Sequence, residues 1–293
     1  MKGTPERFWM MDFTKRSPER LFEGILLLSD LDGTLLNRKK QIVERNLEAI
    51  RRFQEKGGLF SIATGRCSCS AQTIASVTGV NCPGVTLNGA VVYDFNQGRP
   101  ARQSYLPEWY REIAWDVHEH FPSIGVQTYV GSDVQVVQSN DVMVRLHEIE
   151  RTESCCEDVP FDRLPAQVNK VLFGGAHEEL HKVRRFLEGR LEGMYGMFTE
   201  ETYYELLPAR ANKGMGLKMV AEVCGIAPSC VAAVGDYYND VDMLKAAAYP
   251  MAAGNAPEDV KILARFIAGD CEDGVVADAI EHLEQRLTER GRL

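Results

Sequence analysis

Short, unbroken apolar runs recur along the first part of the chain, and each stops at a polar or glycine-bearing turn. Gly24-Ile-Leu-Leu-Leu-Ser29 runs into Asp30-Leu-Asp32-Gly33-Thr34, Leu59-Phe-Ser-Ile-Ala63 into Thr64-Gly65-Arg66, and Gly84-Val-Thr-Leu87 into Asn88-Gly89. Runs without alternation suit strands buried on both faces of a parallel sheet. Between the first two, Ile42, Leu47, Ile50 and Phe53 fall at near-helical spacing until Gly57-Gly58 stops them. A second helix through Ile74 and Val77 ends at Gly79. This alternation predicts an α/β core built on a doubly wound, mostly parallel, Rossmann-like sheet. Ligands of such sheets bind outside the carboxyl ends of the strands, where these turns fall.

The pattern then changes. Residues 91–95 and 102–106 read as a hairpin, and Pro107 opens a helix through Trp109, Ile113 and Val117. Residues 125–130 and 134–138 form a second hairpin, a helix passes through Val144 and Ile149, and 152–167 reads as a loop. A strand at 170–173, a helix over 178–191, and strands at 195–199 and 203–207 complete an α+β insert. Buried-strand and helix alternation resumes at Lys213, with a strand over 230–235 ending at Asp236, short strands at 249–253 and 266–268, and a closing helix over 275–287. The predicted domains are a split core, 1–106 plus 207–293, and an inserted α+β domain, 107–206. Residues 1–23 read as an N-terminal extension, a surface arm before the first strand, and Met10 or Met11 offers an alternative start.

Composition narrows the picture. Lys and Arg number 33 against 42 Asp and Glu, a net charge of −9. A nucleic-acid partner is not expected, because phosphate backbones select basic faces. An anionic small molecule is still admissible, since a metal or a helix end reverses the sign inside a cleft. No apolar run approaches the length of a membrane span. The eight cysteines contain no C-x-x-C pair and read as reduced thiols in a cytoplasmic protein. Cys67 with Cys69, or Cys155 with Cys156, would suit a soft metal, but no four-ligand spacing accompanies them. A monomer or homodimer is expected.

Polar clusters fall at strand ends and helix starts of the core: Asp30 and Asp32, Thr64, Lys213, and Asp236, Asn239 and Asp240. Singly, each has a plain structural explanation: a turn, a helix cap, a solvated lysine. Together they differ. Carboxylates from two neighbouring strand ends cannot all stay ionised without a counter-cation. Oxygen-only ligands favour a hard divalent ion, and Mg²⁺ keeps positions open for water and a phosphate oxygen. Lys213 and the Thr64 hydroxyl supply donors for the remaining phosphate oxygens. Carboxylate nucleophile, metal, lysine and hydroxyl make a phosphoryl-transfer site.

Asp30-Leu-Asp-Gly-Thr34, Ala63-Thr-Gly-Arg66, Asn88-Gly-Ala90, Lys213-Gly214, Gly235-Asp-Tyr-Tyr-Asn-Asp240 and Gly254-Asn255-Ala256 occur in this order. In them the chain resembles the haloacid dehalogenase (HAD) superfamily, in its Cof-type sugar-phosphatase branch with a large α/β cap. The resemblance implies that Asp30 attacks phosphorus to form an aspartyl-phosphate, and that Asp32 protonates the leaving oxygen and later takes a proton from water. It implies Mg²⁺ held by Asp30, the backbone carbonyl of Asp32, and Asp236. Asp240 would be a further ligand or would position Lys213, and Thr64 and Lys213 would hold the phosphoryl group. Arg66, Asn88 and Asn239 are candidate substrate contacts.

The expected activity is Mg²⁺-dependent hydrolysis of small phosphorylated metabolites, sugar phosphates first. A phosphomutase would use the same two aspartates, and a non-catalytic phosphometabolite sensor is the alternative outside enzymes. Specificity should lie in the insert. There Arg145, His147 and Lys170 are polar enough to meet a substrate, although a solvated helix face and a strand-end lysine explain them equally. Tyr203 and Tyr204 read as sheet packing.

Overall fold

The computed structural model describes residues 17–290. The elements run β1 Leu26–Ser29, α1 Glu44–Glu55, β2 Leu59–Ile62, α2 Ser68–Thr78, β3 Gly84–Thr86, β4 Val91–Asp94, β5 Arg99–Gln103 and α3 Tyr110–His120. They continue with β6 Gly125–Val130, β7 Asp133–Gln138, α4 Asp141–Glu150, β8 Cys156–Asp158, β9 Lys170–Gly174, α5 His177–Phe186, β10 Met194–Glu200 and β11 Tyr203–Pro208. The chain closes with α6 Lys213–Cys224, β12 Val231–Gly235, α7 Val241–Ala246, β13 Tyr249–Ala252, α8 Glu258–Lys261, β14 Phe266–Ile267 and α9 Val275–Arg290.

These elements gather into two compact units. Among the described residues the first comprises 17–63, 75–84 and 213–290. Its sheet has the order β14-β13-β12-β1-β2, parallel throughout. Leu26, Leu27, Leu28, Phe60, Ile62, Ala232, Ala233 and Val234 are all solvent-inaccessible, which explains why these strands read as continuous apolar runs. Buried Asn46 ties α1 to the segment after β1 and to α9: its Nδ2 donates to Leu35 O (3.3 Å) and its Oδ1 accepts from Ala277 N (3.0 Å). The α/β parallel-sheet core is therefore as the sequence predicts.

The second unit comprises 64–74 and 85–212. Its larger sheet has the order β10-β11-β9-β6-β7-β8, antiparallel except at β7–β8. Tyr110, Val117, Val126, Val171, Phe173, Leu180 and Leu206 pack into its core. The mostly antiparallel α+β character expected of the insert is present.

Four local readings need correction. β3 does not extend the parallel sheet; it belongs to a three-stranded sheet of order β3-β4-β5. The reason lies in the following turn, where Leu87, Asn88 and Gly89 all take positive φ (49°, 51° and 97°) and redirect the chain into β4. The stretch 152–167 holds the short edge strand β8, which pairs with β7; its Cys-Glu-Asp sequence carries no apolar alternation to announce it. The extension read over 1–23 is no surface arm at its described end. Phe22 is fully buried, with its ring centroid 4.6 Å from that of Phe53, and its N–H donates to Lys56 O (3.0 Å). The first sixteen residues of that stretch, with both alternative start methionines, lie outside the described residues. Finally, the expectation of reduced thiols fails at one pair. Cys69 and Cys155 form a disulfide across 86 residues, with Cα atoms 6.7 Å apart, within the usual range. Spacing rules look for cysteines close in sequence, and only the fold brings α2 and the turn before β8 together. The other six cysteines carry thiols. Among the described residues no helix is long and apolar enough to cross a membrane.

Candidate active site

Asp30 and Asp236 leave the sheet side by side because β1 and β12 are parallel neighbours in the register Ser29↔Val234. Asp30 N–H continues the ladder to Val234 O (2.9 Å). Lys213, the first residue of α6, is fully buried; its Nζ donates to Asp30 Oδ1 (2.6 Å) and Asp240 Oδ1 (2.7 Å). The other oxygen of Asp240 accepts the backbone N–H groups of Asp236 (2.9 Å) and Tyr237 (3.1 Å). Asp240 thus fixes both the lysine and the loop that carries Asp236.

Asp236 is held from two further sides. Its Oδ1 accepts from the Thr34 hydroxyl (3.2 Å) and its Oδ2 from Asn255 Nδ2 (3.2 Å). The same Asn255 nitrogen donates to Gly33 O (2.9 Å). Gly33 has φ +82°, which favours glycine, and a Cβ there would lie 2.4 Å from Asp236 Oδ2, so any side chain would push the Asp236 carboxylate aside.

Oxygens of Asp30, Asp236 and Asp240 lie within 4.8 Å of one another. Burial pushes the Asp30 carboxyl well above its usual range, and the neighbouring Asp240 pushes the same way against Lys213. Asp236 is raised to about 6, by burial first and then by Asp240. Burial pulls the Lys213 ammonium down, but Asp240 and Asp30 outweigh it and hold the pKa above the ordinary value. One lysine therefore does not neutralise the three acids, and an all-oxygen donor set short of positive charge fits a hard divalent cation.

The structure brings Asp30, Lys213, Asp236 and Asp240 together. Asp32 is half-buried, and its Oδ1 accepts from Lys40 Nζ (2.7 Å). Asn239 sits half-buried in the turn Tyr238–Asp240. Thr64, Arg66 and Asn88 lie together in the second unit. Thr64 Oγ1 accepts from Arg66 N (3.1 Å), which leaves its own hydrogen to donate, and Thr64 O accepts from Asn88 N (3.0 Å). Of the insert's candidates, Arg145 is exposed, and His147 is half-buried with Nε2 against Gln127 Oε1 (2.8 Å). Lys170 is buried, and Tyr203 and Tyr204 pack in β11.

Thr34, Asn255, Lys40 and Glu205 carry no assigned role at the level of sequence. Thr34 and Asn255 stand inside the quoted motifs, so a signal exists. Lys40 offers none. Glu205, an acid flanked by Tyr and Leu in a strand run, is a visible exception to its surroundings.

A parallel α/β sheet that delivers acids from adjacent strands to one buried lysine defines a Rossmann-like protein with an acidic centre. This chain belongs to the haloacid dehalogenase-like hydrolases, whose sequence model matches residues 27–280, and it is an enzyme of that family's phosphatase kind. The HMP-PP phosphatase of Serratia proteamaculans is 30% identical over 261 residues, 86% of this chain and 93% of that protein. The pyridoxal phosphate phosphatase YbhA of Escherichia coli is 28% identical over 271 residues, 86% and 95% of the two chains. A solved haloacid dehalogenase-like hydrolase from Bacteroides thetaiotaomicron superimposes with a TM-score of 0.81 at 27% identity, covering 88% of this chain and 99% of that one.

Proposed function

We propose that this chain is a Mg²⁺-dependent phosphatase of small phosphorylated metabolites, sugar phosphates first, working through an aspartyl-phosphate on Asp30. The observation that carries the reading is the fully buried Lys213 bridging Asp30 and Asp240 beside Asp236. It orients a carboxylate while leaving one Asp30 oxygen outside the lysine contact. Asp30, the Asp32 carbonyl and Asp236 would hold Mg²⁺, with Asp240 contributing to the same anionic centre. When bound, the ion neutralises the acids and the phosphoryl oxygens, so that an anionic nucleophile and an anionic ester can approach.

The chain's own residues do the rest. An Asp30 oxygen forms a bond to phosphorus as the ester P–O bond breaks, and Asp32 gives its proton to the departing alcohol. Asp32 must leave Lys40 to do so. Water then attacks the aspartyl-phosphate, Asp32 takes its proton, and inorganic phosphate departs with Asp30 restored. Lys213 and the Thr64 hydroxyl hold the phosphoryl oxygens, and Arg66, Asn88 and Asn239 meet the substrate.

We assign residues 107–206 as the cap that selects substrates and 1–106 plus 207–293 as the catalytic core, in a cytoplasmic monomer or homodimer; the second compact unit is wider than this cap and also takes in 64–74, 85–106 and 207–212. A reducing cytoplasm would open the Cys69–Cys155 bond. The test is phosphate release over a panel of sugar phosphates, pyridoxal phosphate and HMP-PP. Turnover is expected with Mg²⁺, its loss with a chelator, and its loss in Asp30→Asn. Full turnover in chelator would remove the metal from the reading, and an isomeric sugar phosphate in place of free phosphate would make the enzyme a mutase.

A further inference from the structure

Two opposite charges lie buried in the second unit. Lys170 opens β9, Glu205 stands within β11, and Lys170 Nζ donates to Glu205 Oε1 (2.8 Å). They are 2% and 3% exposed. Burying such a pair is costly, and apolar residues of similar volume generally serve stability as well or better. Its partners suggest another role. Lys170 Nζ also donates to Gly65 O (3.1 Å) and lies 4.3 Å from the centroid of the Tyr129 ring. The second oxygen of Glu205 accepts from Asn88 Nδ2 (3.0 Å). An ammonium has three donors, and a carboxylate oxygen, a carbonyl oxygen and a ring face already surround this one.

Gly65 and Asn88 belong to two turns that are laced together. Thr64 N donates to Val85 O (2.9 Å), Leu87 N to Arg66 O (3.0 Å) and Asn88 N to Thr64 O (3.0 Å). Asn88 takes φ +51°, and a Cβ on Gly65 would come within 3.0 Å of Asn88 Nδ2. One end of the ion pair grips the first turn and the other end grips the second.

We propose that the Lys170–Glu205 pair is a positioning device: it clamps the turns 64–66 and 87–89 together and so fixes the Thr64 hydroxyl for the phosphoryl group. This rests on the reading of Thr64 as a phosphate-holding residue. The pair touches no reacting atom and acts through the turns.

The test replaces both charges at once, Lys170→Met with Glu205→Met, which leaves no lone buried ion. The variant should melt cooperatively and keep the Mg²⁺-induced rise in Tm of the parent. Its kcat on a small phosphate ester should fall by roughly tenfold to a hundredfold with KM little changed, because a misplaced group is felt in the transition state. Thr64→Ala should cost a similar factor, and the triple variant should lose little more, since residues acting as one unit are not additive. If the double variant does not fold, Lys170→Met with Glu205→Gln, which leaves no buried charge and keeps an acceptor for Asn88, should show the same fall in kcat. Parental kcat in a folded pair variant, or losses that multiply with that of Thr64→Ala, would overturn the positioning role alone. Parental turnover in Thr64→Ala would withdraw the phosphate-holding reading, and the positioning role with it.

Discussion

Gly33 shows how closely one residue constrains this site. Its φ of +82° costs any other residue about 1–2 kcal/mol, and the added methyl would meet Asp236 Oδ2 at 2.4 Å. Gly33→Ala should therefore displace Asp236 by about an ångström, a misplacement worth roughly 10²-fold in rate. The expected outcome is a folded protein with weakened Mg²⁺ binding and much reduced phosphate release. Parental kinetics would mean that Asp236 does not need its present place. Residue identities are the most legible part of the site. Asp30, Asp236, Asp240 and Lys213 all stand out at strand ends and helix starts. The motif Gly254-Asn255-Ala256 draws attention to Asn255, but what it holds, Gly33 O and Asp236 Oδ2, lies 222 and 19 residues away and is visible only in the fold.

At the scale of elements, apolar runs announce β1, β2 and β12 because burial on both faces leaves no polar alternation to confuse them. The partners of a strand are less legible. β3 carries the same kind of run as β1, yet the left-handed turn at Leu87–Gly89 takes it into another sheet. β8 escapes notice because an edge strand needs no apolar face; its residues are half-buried or exposed. Phe22 escapes it for the opposite reason: with Leu21 it makes only a two-residue apolar pair between Arg20 and Glu23, too short to show a period, although it is fully buried. The Cys69–Cys155 bond is invisible in the sequence because nothing local links α2 to the turn before β8.

At the scale of the whole molecule, a raised acid in the anionic centre makes folding depend on pH, and the proposed Mg²⁺ would add to that dependence. Asp236 has a folded-state pKa of about 6, above the 3.8 of an ordinary aspartate. An acid raised in this way supports the fold below its unfolded pKa and loses that support as pH rises through the folded value. The metal-free protein should thus lose this contribution between pH 3.8 and about 6. Bound Mg²⁺ competes with that proton. The rise in Tm on adding Mg²⁺ should therefore be larger near pH 7.5 than near pH 5, as read by thermal unfolding. An equal rise at both would contradict a cation site at these acids.

The central claim is that Asp30 is the nucleophile and Asp32 the proton carrier, and a trapping measurement addresses it most directly. Asp32→Asn removes the group that activates water, typically a loss of about 10²–10⁴-fold, while its backbone carbonyl stays in place. Given Mg²⁺ and an activated aryl phosphate, whose departure needs little protonation, this variant should accumulate labelled enzyme. The label should be acid-stable, labile to hydroxylamine, and located on Asp30 by peptide mapping, with none in Asp30→Asn. Label on Asp32 in the parent would reverse the two roles, and no label under any condition would contradict the covalent route.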